Sequence, residues 1–124
     1  MNLESKENIT QNKSYAFALK IVKLYKQLAS VNKEFVLSKQ ILKSGTSIGA
    51  NVAEANGAIS GADFSSKISI AYKEALETKY WLSLLHDGEF VNKRQFEALY
   101  ADCDELCRIL FSILKTTRIN KSKQ

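Results

Sequence analysis

The chain has 124 residues, 45% hydrophobic and 25% charged, with five glycines, no proline and a formal charge of +5, which suits a single domain over residues 1–124 that buries its own core without a disulfide or metal staple. The absence of proline disfavours an all-β fold with many tight turns and leaves long helices uninterrupted. One histidine and two cysteines cannot supply most catalytic or metal-binding constellations, so no enzyme, cofactor or metal centre is expected from composition.

Four amphipathic segments follow one another. In the first, residues 13–32, Phe17, Ile21, Leu24, Leu28 and Val31 recur at alternating steps of four and three, the period of one helix face. Lys20, Lys23 and Lys26 lie opposite. The second, residues 33–56, aligns Leu37, Ile41, Ser44, Ile48, Val52 and Ala55. Gly45, Gly49 and Ala53 flank that stripe at steps of four. Because glycine costs a helix up to about 1 kcal/mol relative to alanine, the pair implies close approach of another helix. On the other flank Gln40, Ser47, Asn51 and Glu54 form a polar seam, and Gly57 provides a stop.

Ser60-Gly-Ala-Asp63 opens the third helix, residues 61–87, as a capping box with aspartate in place of glutamate. Phe64, Ile68, Ala71, Ala75, Thr78, Leu82 and Leu85 form its stripe. Ile70, Leu76, Tyr80, Trp81 and Leu84 fall outside it, and a helix apolar on more than one face needs more than one partner surface. Ile70, Tyr80, Trp81 and Leu84 are therefore the expected oligomer interface. Gly88 ends this helix. Asn92-Lys-Arg-Gln95 then caps a fourth, residues 93–117, with Phe96, Leu99, Cys103, Leu106, Leu110 and Ile113 inward. The ends, residues 1–12 and 118–124, are expected to be flexible. Four long helices with short links predict an all-α, antiparallel up-down-up-down four-helix bundle that assembles as a homo-oligomer.

The N-terminus carries no apolar signal-like region, and the longest uncharged stretch, Ser44 to Ala53, falls short of the roughly 18 residues that span a membrane. A cytoplasmic protein without a membrane partner is expected. Cys103 and Cys107, one helical turn apart, read as small buried hydrophobes.

Charge is unevenly placed. Residues 13–43 hold seven lysines and one acid, residues 54–105 five basic and ten acidic residues, and residues 108–124 five basic residues. Such asymmetry serves either self-assembly between basic and acidic helices or a footprint for phosphates. Few arginines and few aromatics among the basic stretches favour diffuse backbone contact over sequence readout.

Enzyme templates fare poorly. A di-iron bundle needs two Glu-x-x-His motifs, whereas the sole histidine, His86, has Ser83 three residues before it. No P-loop, dinucleotide fingerprint or zinc-finger pattern occurs. Glu54, Glu74 and Glu77 could face one another or a subunit boundary; a register-fixing role with Ser47, Asn51, Tyr72 or a lysine is preferred to a paired-carboxylate active site.

The run from Gln40 through Ser44, Ser47-Ile48, Ala50-Asn51 and Ala53-Glu54, followed by Ser60, Asp63-Phe64, Ile70-Ala71, Glu74 and Glu77, resembles the four-helix-bundle family of 23S rRNA intervening-sequence proteins. The likeness is tight over the second and third helices. It implies a homopentamer around a central channel, no enzymatic activity, and a gene context inside bacterial 23S rRNA genes that earned such proteins a ribosomal label. Relatives in diversity-generating retroelements imply a reverse transcriptase and nucleic acid as partners, bound through a basic surface. Where that family commonly has glycine and then basic residues after its Ala-Glu pair, this chain has Ala55-Asn56-Gly57-Ala58-Ile59, so the loop offers no phosphate contact. Lys20, Lys23, Lys26, Arg118, Lys121 and Lys123 must then carry any binding of RNA or DNA. The other expectation is an oligomeric protein-interaction scaffold without nucleic acid.

Overall fold

A computed structural model describes residues 6–122, with side chains from 8 to 117. Four α-helices, α1 (Lys6–Ser30), α2 (Leu37–Asn56), α3 (Gly61–Asp87) and α4 (Lys93–Ser122), make up its regular structure, with no strand among the described residues. The α3 bounds, the end of α2 at Asn56 and the start of α4 at Lys93 match the sequence expectation; both ends of α1, the start of α2 and the end of α4 differ.

Helix α1 starts before residue 13 because the inward stripe continues backwards through two hydroxyl residues, Thr10 and Ser14, both fully buried. Their polarity hid the phase in the sequence. At its other end α1 stops at Ser30, and Val31, expected to be inward, is 74% exposed. The N–H groups of Val31 and Asn32 both reach the Gln27 carbonyl, the Glu34 N–H donates to Leu28, and Lys33 takes a left-handed φ of 56°. That conformation ends the helix and delays α2 from the expected residue 33 to Leu37. Glu34 then caps α2: its carboxylate accepts the N–H groups of Val36 (3.2 Å) and Ser38 (2.8 Å). Burial pushes the Glu34 carboxyl up, but the N–H groups of Ser38, Leu37 and Val36 outweigh it and hold it below its ordinary value.

Both expected N-caps form, without the reciprocal half of a capping box. Ser60 Oγ accepts the Asp63 N–H at 3.0 Å while Asp63 accepts the Ile59 N–H instead of that of Ser60, and Asn92 Oδ1 accepts the Gln95 N–H at 2.8 Å while the Gln95 side chain pairs with Gln27. Neither glycine stop uses a left-handed conformation: Gly57 and Gly88 have φ of −100° and −81°. After α3 that role falls to Glu89, at φ 66°. Helix α4 continues to Ser122, past the expected end at 117.

One core joins all four helices. Phe17, Ile21, Leu24 and Leu28 from α1 meet Ile41, Ile48 and Val52 from α2, Ile68, Leu82 and Leu85 from α3, and Cys103, Leu106 and Leu110 from α4. The expected stripes supply nearly all of it. Gly45 and Gly49 do what their spacing implied. A Cβ at Gly45 would stand 2.8 Å from Ile21 Cγ1, and one at Gly49 would stand 3.3 Å from the Ser14 carbonyl, so α1 lies directly on α2's backbone.

Polar pairs set the register between helices. On the α1–α4 seam Lys13 meets Glu105 (3.2 Å), Lys20 meets Asp102 (2.6 Å), and Gln27 and Gln95 exchange side-chain amide hydrogen bonds. The α1 partners step by sevens while the α4 numbers fall. Between α2 and α3, Thr78 Oγ1 lies 2.9 Å from Ser44 Oγ and 2.8 Å from the Glu74 carbonyl, with both hydroxyl residues fully buried. The pair satisfies two groups that would otherwise be costly in the core. Between α3 and α4, Lys79 pairs with Asp104 at 2.9 Å and stands over the Tyr100 ring, while Arg108 reaches the same carboxylate. The hydrogen bond from Lys79 holds Asp104 below the usual carboxylate range, and the same bond raises Lys79.

Candidate nucleic-acid interface

The seven lysines of residues 13–43 divide by helical phase. Lys13 and Lys20 face α4 and are ion-paired there. Lys23 and Lys26 lie on α1's outer side, and Lys33, Lys39 and Lys43 follow in the α1–α2 turn and the first half of α2; none of these five makes an ion pair with a described residue. The single acid of this stretch, Glu34, is occupied in capping α2. Lys43 lies close enough to Glu74 to pull on its carboxyl. The result is a lysine-rich stretch built from the last turns of α1 and the first turns of α2, which itself holds little acid, while the α3–α4 turn brings Asp87 and Glu89 beside Gln27 of α1.

Of the lysines singled out from sequence, Lys20 is therefore drawn off to Asp102, and Lys23 and Lys26 remain with exposed ammonium groups. Arg118 and Lys121 ride on the backbone of α4, but their side chains, and Lys123 as a whole, lie outside the described residues. Lys33, Lys39 and Lys43 were not singled out. The local count of seven lysines to one acid already contained them, but placing residues 33–43 wholly inside a helix spread them around its circumference.

The polar seam is looser than expected. Ser47 Oγ donates to the Lys43 carbonyl and Asn51 Nδ2 to the Ser47 carbonyl, both within α2, rather than to the glutamates. Glu54 crosses to Lys67 on α3 at 3.2 Å. Burial and the neighbouring Glu77 raise Glu74 above its ordinary value, against the pull of Lys43. Glu77 is exposed and Gln40 is exposed at the α2 end of the seam. These carboxylates do not converge on one point, and no group of three or more metal-ligating residues occurs among the described residues.

Beside the seam, the outer face of α3 exposes Ile70, Leu76, Tyr80 and Leu84. Trp81 is half-buried, stacks edge-on against Tyr80 at 5.1 Å, and its buried Nε1 has no acceptor. His86 stacks on Phe96 and reaches Asp87 at 3.3 Å. Both cysteines are buried and free. Cys103 lies 3.2 Å from the Ala75 carbonyl, and its hydrogen bond with Cys107 together with burial pushes its thiol up, so it is an inert core residue. No described helix is long and apolar enough to cross a membrane.

Comparison with known proteins supplies the lineage. No curated protein matches the chain. A crystal structure of a protein of unknown function from the S23 ribosomal protein family, from Bacteroides thetaiotaomicron VPI-5482, is 52% identical; the match covers 90% of this chain and 99% of that one, with a TM-score of 0.88. The family model described as 23S rRNA-intervening sequence protein matches residues 6–112, nearly the whole of the four helices described above. The chain belongs to the 23S rRNA-intervening sequence protein family.

Proposed function

We propose that the protein is an oligomeric nucleic-acid-associated accessory protein, a binder rather than an enzyme, that holds RNA or DNA by its phosphates. The observation that carries this reading is the end of the molecule where Lys23, Lys26, Lys33 and Lys39 stand without an ion-pair partner while Lys13 and Lys20 are neutralised by α4. Unpaired surface lysines gain from releasing phosphate counterions, and that gain depends steeply on salt. Partner numbers fall from Ser14–Gly49 to Ile21–Gly45, Ser44–Thr78 to Glu54–Lys67, Tyr72–Phe111 to His86–Phe96 and Lys13–Glu105 to Lys20–Asp102, which supports an antiparallel up-down-up-down bundle as the scaffold. Its α3 face, with Ile70, Tyr80, Trp81 and Leu84, is the self-association surface of the reading, and the family resemblance makes a pentamer the expected state. The compartment is the cytoplasm, where nucleic acid is at hand.

Fluorescence anisotropy with structured RNA and with duplex DNA tests this. Four phosphate contacts give a log–log slope of about −3 to −4, so affinity falls roughly a hundredfold between about 50 and 200 mM salt. Changing Lys23, Lys26 and Lys39 together to glutamate abolishes binding at the lower salt. Absence of binding by the unaltered protein at low salt overturns the reading.

The exposed apolar residues of α3 favour a second reading, an oligomeric scaffold for another protein, with no nucleic acid. Light scattering separates the components: a mass several times 13.9 kDa that collapses on Tyr80→Glu supports the α3 interface, whether or not nucleic acid binds.

A further inference from the structure

The lysine-rich end has an apolar centre. The turn between α1 and α2 holds Val31, Phe35 and Val36 at 74%, 53% and 70% exposure, although an ordinary turn of this kind would be polar. The backbone that follows Phe35 is held by hydrogen bonds. Phe35 lies between Lys33, whose left-handed backbone closes off α1, and Val36, whose N–H is held by the Glu34 carboxylate. Ser38, the second residue of α2, is tied to the same carboxylate. Two hydrogen bonds to one acid thus brace the segment that presents an aromatic ring to solvent. Lys26 lies just before α1's last turn and Lys39 in α2's first, so cations flank the ring along the chain on both sides.

An aromatic side chain on a braced loop, with cations before and after it, is the combination that holds an unpaired nucleotide. The ring stacks on the base, and the lysines meet the phosphates on either side. A duplex keeps its bases stacked internally and offers the ring nothing, while still attracting the lysines. Charge complementarity identifies the occupant as polyanionic, and one planar ring with only two valines beside it suits one exposed base better than it suits a bilayer, which is engaged by the longer apolar face of an amphipathic helix.

We infer that the α1–α2 turn is a stacking site for an unpaired nucleotide, with Phe35 against the base and Lys26, Lys33 and Lys39 on the flanking phosphates. The protein would accordingly prefer single-stranded or bulged nucleic acid to continuous duplex. This rests on the nucleic-acid reading above and adds to it the strandedness of the ligand.

The experiment compares a fluorescein-labelled single-stranded RNA with a fully paired duplex of the same sequence, titrated with the full chain, Phe35→Ala, Phe35→Trp and Lys33→Glu/Lys39→Glu. Phe35 is exposed, so its variants retain the fold, which far-UV circular dichroism checks. Stacking makes Phe35→Ala lose about tenfold or more for the single strand with duplex affinity unchanged. Phe35→Trp restores it, and the lysine pair weakens both ligands. If Phe35→Ala leaves the single strand unaffected, or weakens both ligands alike, the stacking site is overturned while nucleic-acid binding stands. If neither ligand binds the unaltered protein at low salt, the underlying reading falls as well. Phe35-dependent binding to vesicles of anionic phospholipid without binding to RNA assigns the turn to a membrane surface and also overturns the inference.

Discussion

Gly45→Ala pits two terms of known sign against each other. Replacing a glycine inside a helix by alanine gains about 1 kcal/mol of helix propensity. At this position the new methyl would stand 2.8 Å and 2.9 Å from Ile21 Cγ1 and Cγ2, inside van der Waals contact, and Ile21 is fully buried between helices and cannot swing away. Overpacking of this kind costs about 1–3 kcal/mol, so the net effect is a destabilisation of up to about 2 kcal/mol. Ile21→Ala alone opens a cavity costing about 2–5 kcal/mol. In that background both clashing atoms are gone, and only the Ile21 Cβ at 3.2 Å remains, which the emptied space lets move by a few tenths of an ångström. The propensity gain then stands alone, with about 0.8 kcal/mol more from the carbon returned to the cavity. Gly45→Ala should change sign, from destabilising in the natural chain to stabilising by about 1–2 kcal/mol in the Ile21→Ala background. Urea unfolding of the four proteins at one fixed concentration measures this as a double-mutant cycle. Additive effects, or a Gly45→Ala that stabilises in both backgrounds, would refute the claim that close α1–α2 approach is why the glycine is there.

Thr78→Val should cost about 1–3 kcal/mol, because it strands the buried Ser44 hydroxyl, and Ser44→Ala in the same chain should recover most of that loss in urea titration. Stability against pH should move in opposite directions at two carboxylates. Glu74 has a raised folded pKa, so its favourable contribution is complete below its unfolded value near 4.3 and is lost as pH rises through the folded one. Glu74→Gln therefore gains on the natural chain between about pH 4 and neutrality. Asp104 is depressed, so its contribution is present above about pH 4 and disappears as pH falls through the folded value. Asp104→Asn is less stable at neutral pH, and the gap closes in acid. Matching slopes for the two variants would contradict both assignments.

Helix number, order and most inward residues were legible because apolar side chains repeat with the helical period, and because Ser60 and Asn92 carry capping chemistry that needs no tertiary context. What stayed hidden depends on the third dimension. Thr10 and Ser14 occupy inward positions without looking apolar, so α1 read as starting late. Glu34 caps α2 from outside the usual serine, threonine, aspartate or asparagine set, so the α1–α2 turn was read as helix, and Phe35 and Val36 escaped notice as exposed residues. Whether Gln40, Ser47, Asn51 and Glu54 bond across a seam or back along their own helix is a matter of side-chain rotamer, and Ser47 and Asn51 chose their own helix.

The charge pattern changes most between chain and fold. Along the sequence, a basic first third faces an acidic middle, and either self-assembly or phosphate binding could use the whole difference. In the fold, Lys13 and Lys20 are neutralised by Glu105 and Asp102 of the same molecule, which removes them from both accounts. Exposed pairs such as these contribute about 0–1 kcal/mol each, so their larger effect is on where charge is left over. The lysines that remain lie at the α1–α2 end, whereas the apolar residues Ile70, Tyr80 and Leu84 lie along α3. Because the two surfaces share no residue, self-association through α3 need not consume the charges available to a phosphate backbone. An assembly built on α3 would instead repeat the lysine-rich end once per subunit, and linked sites raise affinity for one long polyanion far more than any single site can.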